Sequence, residues 1–455
     1  MLQDALSQAL SKSTADYAEV RYETNDATGI SFRGEEVDHV STSKVSGGIV
    51  RACVKGGWGV VAFDSLEDLE RRVREACACA ALVGRERTQL AETKPVSAEV
   101  RARLARDFRG VPMDEKLSLT TRYNNIVLKA SPKVETTHVG YSESFRTVHF
   151  ASSRGAYFLE ERPRVTLRLL AVARDGALVQ QAWDGVASSE TFDAVLGKED
   201  LAENVAKRAA DLLSAPACPG GRTTVVLDPE LGGVFAHEAF GHLSEADFLY
   251  ENPKVRDLMH LGREVGVKDL TIVDDGSLPG LGGTHAFDDE GTPTGRTELV
   301  RKGVLSGHLH SLETAAKMGA APTGNARAAG RADPPIVRMT NTCIEPGKLR
   351  FDDLLAGIDR GVYARGMLGG QTMMEMFTFS AAYGYRIENG KIGPLVRDVV
   401  LAGNVFETLH RIDGIADDLV MIQKGGACGK GSQGIPVTFG SPHLRIRDVV
   451  VGGKH

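Results

Sequence analysis

The sequence predicts an α+β chain of several domains, with mixed and antiparallel sheets, packed helices and a β-rich C-terminal part. Three observations carry this. Strand patterns come in runs bordered by helical ones, not in strict alternation with them. At 455 residues the chain is longer than one hydrophobic core ordinarily organises, so it should divide into two or three units. Beyond Arg222 glycine-rich β segments dominate.

The first unit is expected at residues 1–85. Leu2, Leu6 and Leu10 recur at helical spacing, which makes the start an amphipathic helix and not a signal peptide. In YAEVRYET, Ala18, Val20 and Tyr22 alternate with Glu19, Arg21 and Glu23, the period of a half-buried strand. GGIVRACV and WGVVAF continue as strands, and a helix follows from Ser65. Residues 86–113, charged and with two prolines, read as a linker or exposed crossing segment. A central unit at 114–217 should hold a helix near DEKLSLTTRYNNIVLKAS, strands in VETTHVGYSES, RTVHFASS and RVTLRLLAVAR, and a long helix across EDLAENVAKRAADLLSA. PACPGGR ends that helix and marks the next boundary. The C-terminal unit, 218–455, opens with the strand TTVVLDP. Turn signals follow at Lys302-Gly303 and Asn389-Gly390, and NVFETLHRI starts on a capping pattern, Asn404 with Glu407.

Composition narrows function. A formal net charge of -6 with no long basic run argues against nucleic acid or anionic membrane as the partner. No segment approaches the roughly 18 apolar residues of a membrane span, so a cytoplasmic protein is expected. Six cysteines in a chain this long make no disulfide framework. Cys77 and Cys79 fall in a helical stretch, where residues two apart point about 200° apart and cannot easily share a metal.

The chemistry concentrates in FAHEAFGHLSEAD, residues 235–247. His237 and His242 stand five apart. On a regular α-helix they would point about 140° apart and sit about 7.5 Å apart along the axis, unsuited to one ion. A single π-type turn would return both rings to nearly one face, and Gly241 weakens the helix where that must happen. The motif therefore predicts a local irregularity if it binds metal; the plain alternative is a capped helix with two satisfied histidines. A catalytic zinc needs three protein ligands and an open position. Glu245, Asp247 and His285 are candidates for the third, and Cys428, in KGGACGKGSQG, is the softer one. With a His2Cys set, Glu238 is free to accept a proton from a water polarised by the ion, and hydrolysis of an amide carbonyl is the expected output.

HEAFGHLSEAD followed by the glycine-flanked ACGK resembles the TldD subunits of the TldD/TldE (PmbA) family of metallopeptidases. FDDEGTPTG at 287–295, GNARA at 324–328, MTNTCIEPG at 339–347, GGQT at 369–372 and the terminal PHLRIRDVVVGG extend the likeness over nearly the whole chain. The resemblance implies His237, His242 and Cys428 as ligands of one zinc, with iron as the other metal to consider, and Glu238 as the catalytic acid/base. It also implies extended, unfolded or flexible peptides as substrates. The working assembly would be a homodimer or a heterodimer with a TldE/PmbA-like subunit. Arg327, Arg331, Tyr383 and Tyr385 are oxyanion candidates, with salt bridges and strand packing as their ordinary roles, and Asp247 is a candidate to orient a histidine. Two other functions compete: a metal-dependent hydrolase of small amides, and a non-catalytic binding or chaperone-like subunit.

Overall fold

The computed structural model describes residues 2–452. As expected it is α+β, 24% helix and 44% strand, and the strands lie in mixed and antiparallel sheets.

The N-terminal half is organised by one large sheet. Helix α1 (Leu2–Leu10) leads into β1 (Tyr17–Arg33), β2 (Glu36–Val54) and β3 (Gly57–Phe63), and helix α2 (Leu69–Val83) follows. The segment expected to be a crossing contributes a short strand, β4 (Ser97–Val100). After helix α3 (Met113–Lys129) come the long strands β5 (Val134–Ser152), β6 (Tyr157–Asp175) and β7 (Leu178–Ser188), then helix α4 (Glu199–Ser214). The order is β3-β2-β1-β5-β6-β4, with β7 also on β6, and only the β4–β6 pairing is parallel. Helix α4 buries Ala202, Val205, Ala206, Ala209 and Leu212, an i, i+3, i+4, i+7 stripe of mostly small residues that lets it sit close on the sheet.

One sequence expectation changes here. β1 is not half-buried: Glu19, Arg21 and Glu23 are 3%, 1% and 3% exposed, as deeply placed as the apolar set on the other face. Their face meets the C-terminal residues and not water. Arg51 bridges Glu19 (2.7 Å) and Glu290 (3.1 Å), Arg146 pairs with Glu23, and Arg21 donates to the carbonyls of Gly330 and Asp333. A period-two pattern looks the same whether its polar face meets solvent or a charged partner.

In the C-terminal half, β8 (Gly221–Leu227) pairs with the strands Arg360–Met373 and Leu444–Gly452. Adding Val400–Asn404 and Met376–Glu388 closes a ring of five strands, because Arg360–Met373 also pairs with Met376–Glu388. A separate six-stranded sheet holds Ile272–Asp275, Asn341–Ile344 and Thr438–Ser441. The turn signals are met: Lys302-Gly303 and Asn389-Gly390 both have positive φ at each position, as a tight hairpin turn requires. The Asn404 side chain accepts from the Glu407 N–H, capping the helix Val405–His410.

Candidate metal centre

Helix α5 (Pro229–Val234) starts where β8 ends. The Asp228 side chain accepts from the Leu231 N–H at 2.9 Å and Pro229 stands in the first turn, so entry into the helix is fixed by ordinary capping. From Phe235 to Gly241 the helix widens into a π-helix, and the His242 N–H bonds to the His237 carbonyl, an i to i+5 closure. This is the irregularity that the five-residue spacing demands. Gly241 serves it in a second way: a Cβ there would lie 2.0 Å from the Met339 sulfur, so a side chain at this position would drive the turn off its support.

The widened turn sets the rings of His237 and His242 with centroids 5.3 Å apart. Cys428 comes from the two-stranded hairpin of Ala427–Lys430 and Gln433–Pro436. One donor atom from each of His237, His242 and Cys428 lies within 4.8 Å of the others. The Cys428 sulfur is 3.2 Å from His242 Nε2, where two ligands of one tetrahedral zinc would be about 3.6 Å apart. His237 Nδ1 is buried without a hydrogen-bond partner. Two imidazoles and a thiol, one ring with an unsatisfied buried nitrogen, are the donor chemistry that a zinc-type divalent ion takes, so the residues fit such an ion.

The remaining candidates go elsewhere. Glu245 is 1% exposed and reaches the opposite nitrogen of His242, with Oε2 3.1 Å from Nδ1; the same oxygen accepts from Lys430 Nζ at 2.9 Å. Asp247 pairs with Lys430 at 2.7 Å. His285 Nε2 accepts from Arg327 at 3.1 Å. Orientation of a histidine, for which Asp247 was one sequence candidate beside a plain helix-ending role, falls to Glu245. The signal was present: three residues after His242, Glu245 lies on the same side of a helical turn. The oxyanion candidates are occupied as well. Buried Arg327 donates to the carbonyls of Met339 and Pro436, Arg331 pairs with Asp64, and Tyr383 and Tyr385 pack edge to face on a ring strand. Sequence reasoning missed Arg338, which is fully buried and donates to the carbonyls of Cys428 and Gln433, fastening the cysteine hairpin.

Electrostatics separates the roles. Burial holds the His237 pKa well below its usual value, aided by His242 and two arginines, which keeps this ring neutral. Burial also acts to lower His242, but hydrogen bonds to Cys428 and Glu245 outweigh it and carry the pKa up to about 10. Glu238 is partly open, with 28% of its side chain accessible, and lies 3.8 Å from His242 Nε2. Burial raises its pKa, opposed by His242 and reinforced by Glu245.

Comparison with known proteins agrees across the whole length. Residues 18–80 match the PmbA/TldA metallopeptidase domain 1, residues 106–215 its central domain and residues 220–453 its C-terminal domain. The chain belongs to the PmbA/TldD metallopeptidase family. Within the family it is 44% identical over 444 residues to a metalloprotease of Synechocystis, covering 97% of this chain and 96% of that one. It is 27% identical to a zinc metalloprotease TldD homolog of Saccharolobus solfataricus, covering 96% and 97%. Its fold is similar to the crystal structure of TldE from Thermococcus kodakarensis, with a TM-score of 0.78 at 18% identity over 99% of this chain and 100% of that one. Among the described residues of this family member, no helix is long and apolar enough to cross a membrane.

Proposed function

We propose that this PmbA/TldD family chain is a zinc-dependent peptidase of unfolded or flexible peptides. In this reading His237, His242 and Cys428 hold one ion and Glu238 is the general base. The observation that carries it is the convergence of those three donor atoms within 4.8 Å beside a carboxylate that none of them consumes. When bound, the ion supplies Lewis-acid polarisation of the scissile carbonyl and of the attacking water. Glu238 takes one proton from that water as the C–O bond forms and returns it to the amide nitrogen as the C–N bond breaks. A carboxylate whose pKa burial raises above its usual value suits both transfers. Glu245 holds His242 by Nδ1 so that Nε2 faces the site, and Lys430 holds Glu245.

An extended peptide is favoured over a small amide by the strand Arg360–Met373. It pairs with β8 only from Gly361 to Ala364, and beyond Met367, whose carbonyl accepts from Trp183, no strand among the described residues pairs with it on that side. An open edge of this kind accepts a peptide as an added strand through main-chain hydrogen bonds. Its exposed Leu368, Met373 and Met374 offer adaptable apolar contact with little side-chain preference. In this reading the chain works either as a homodimer or as a pair with a TldE/PmbA-like chain. The test is turnover of an unstructured peptide by the zinc-loaded protein. Glu238→Gln should keep the metal and lose at least 100-fold in kcat; intact hydrolysis in that variant would refute the assignment.

A further inference from the structure

One cavity lies apart from the three donor atoms. It encloses about 610 Å³ between β6, the loop around Ser277–Ala286 and the hairpin strand Gln433–Pro436. Six arginines line it against four carboxylates, and the pairing is uneven. Arg101 is matched by Glu161, Arg162 by Glu160 and Asp289, and Arg146 by Glu23 from outside the lining. Among the described residues Arg164 has no carboxylate partner and donates to the Gly426 carbonyl, at 3.2 Å. Arg327, 2% exposed, likewise meets carbonyls and no carboxylate: Met339, and Pro436 at 2.7 Å. Arg103 stands exposed among the lining residues, and the unmatched acid, Glu190, is also exposed.

The third Arg327 contact fixes a tautomer. A guanidinium has no acceptor, so His285 Nε2 must accept at 3.1 Å, and the proton of the neutral ring belongs on Nδ1. That Nδ1 is buried and has no partner. The cavity lining thus holds two guanidinium groups that bond carbonyls and no carboxylate, beside a histidine with one unpartnered N–H. Burial also holds the Arg164, Arg327 and His285 pKa values below their usual positions, a sign that all three lack a nearby negative charge sufficient to offset desolvation.

We propose that this cavity is a carboxylate-binding subsite formed by Arg164, Arg327 and His285, and that it anchors the terminal carboxylate or an acidic side chain of a bound peptide. The planar fork of Arg164 can match a carboxylate through two parallel hydrogen bonds, while Arg327, whose Nη2 protons go to Pro436 and His285, adds positive charge beside it. Its position fits a substrate anchor. The cavity wall at Ile435 pairs with Cys428 across the hairpin, and Pro436, which accepts from Arg327, pairs with Ala427. Cavity and metal centre therefore share one two-stranded hairpin, whose strands lie about 4.8 Å apart.

The choice of a peptide as the ligand rests on the peptidase reading, so the test reads binding and not turnover. Metal-loaded Glu238→Gln protein is titrated with fluorescein-labelled pentaalanine bearing a free C-terminus, with its C-terminal amide, and with an amide carrying internal glutamates. The free acid or the glutamate amide should bind at least tenfold tighter than the plain amide, and whichever does identifies the source of the carboxylate. Arg164→Gln should remove that advantage and leave plain-amide affinity and melting temperature unchanged, while Arg164→Lys keeps part of it. Equal binding of all three peptides, no binding, or an advantage that survives Arg164→Gln overturns the proposal. If wild-type protein hydrolyses peptides without such discrimination, this subsite alone fails. Discrimination by a protein with no hydrolytic activity would instead sink the peptidase reading.

Discussion

At the scale of single residues, the proposed centre depends on side chains outside its three donors. Glu245 is the clearest: its carboxylate accepts from His242 Nδ1 and from Lys430, so it sets both the tautomer and the tilt of the ligand ring. Glu245→Gln should lower metal affinity about 10- to 100-fold while leaving the melting temperature of the metal-free protein nearly unchanged, as read by competition with a chromogenic chelator. That His237, His242 and Cys428 come together, with donor atoms within 4.8 Å, was legible in the sequence because a soft donor set at an unusual spacing is informative before any fold is known. Glu245 and Arg338 were not read, for different reasons. Glu245 was weighed as a ligand when its place on the turn suited a partner of His242. Arg338 acts through the carbonyls of a hairpin about 90 residues away, and no local pattern announces that contact.

At the scale of the element, the π-helix Phe235–Gly241 is where spacing, backbone and packing meet. The need for it could be deduced from helical geometry alone; what could not be deduced is how it is held. Gly233 packs so close to the strand Thr438–Ser441 that a Cβ would lie 2.8 Å from the Gly440 nitrogen, and Gly241 presses on Met339 in the same manner. Met339 is fully buried and cannot swing into solvent. Gly241→Ala should therefore cost about 1–3 kcal/mol in chemical denaturation and reduce bound metal, because overpacking here displaces the turn that carries both histidines. An unchanged metal content in a destabilised Gly241→Ala protein would separate the packing of the turn from its role at the site.

At the scale of the whole molecule, the N-terminal sheet meets the C-terminal half through buried ions. Asp289 is 2% exposed and bonds Arg162 at 2.8 Å. Burial works to raise its pKa, but Arg162, Arg21 and Arg146 together hold it well below the usual carboxylate range. Such a group contributes its stability above the unfolded pKa, near 3.9, and loses it as pH falls toward the depressed folded value. Asp289→Asn should thus destabilise the protein at pH 7 by about 3 kcal/mol, since it strands buried guanidinium charge. The gap between wild type and variant in thermal melts should narrow as pH drops below about 4. A gap that stays constant from pH 7 to pH 3 would show that Asp289 gives no charge-dependent support. This contact surface was the least legible part of the fold. The alternation Glu19, Arg21, Glu23 reads as a solvated face until the FDDEG loop is placed against it.

All three scales converge on the proposed centre, and its ligand set can be tested directly. X-ray absorption at the zinc K-edge of the zinc-loaded protein should report one sulfur at about 2.3 Å and nitrogen or oxygen scatterers at about 2.0–2.1 Å, with the sulfur shell lost in Cys428→Ser. A zinc environment without sulfur, or one that Cys428→Ser leaves unchanged, would contradict the centre described for this chain.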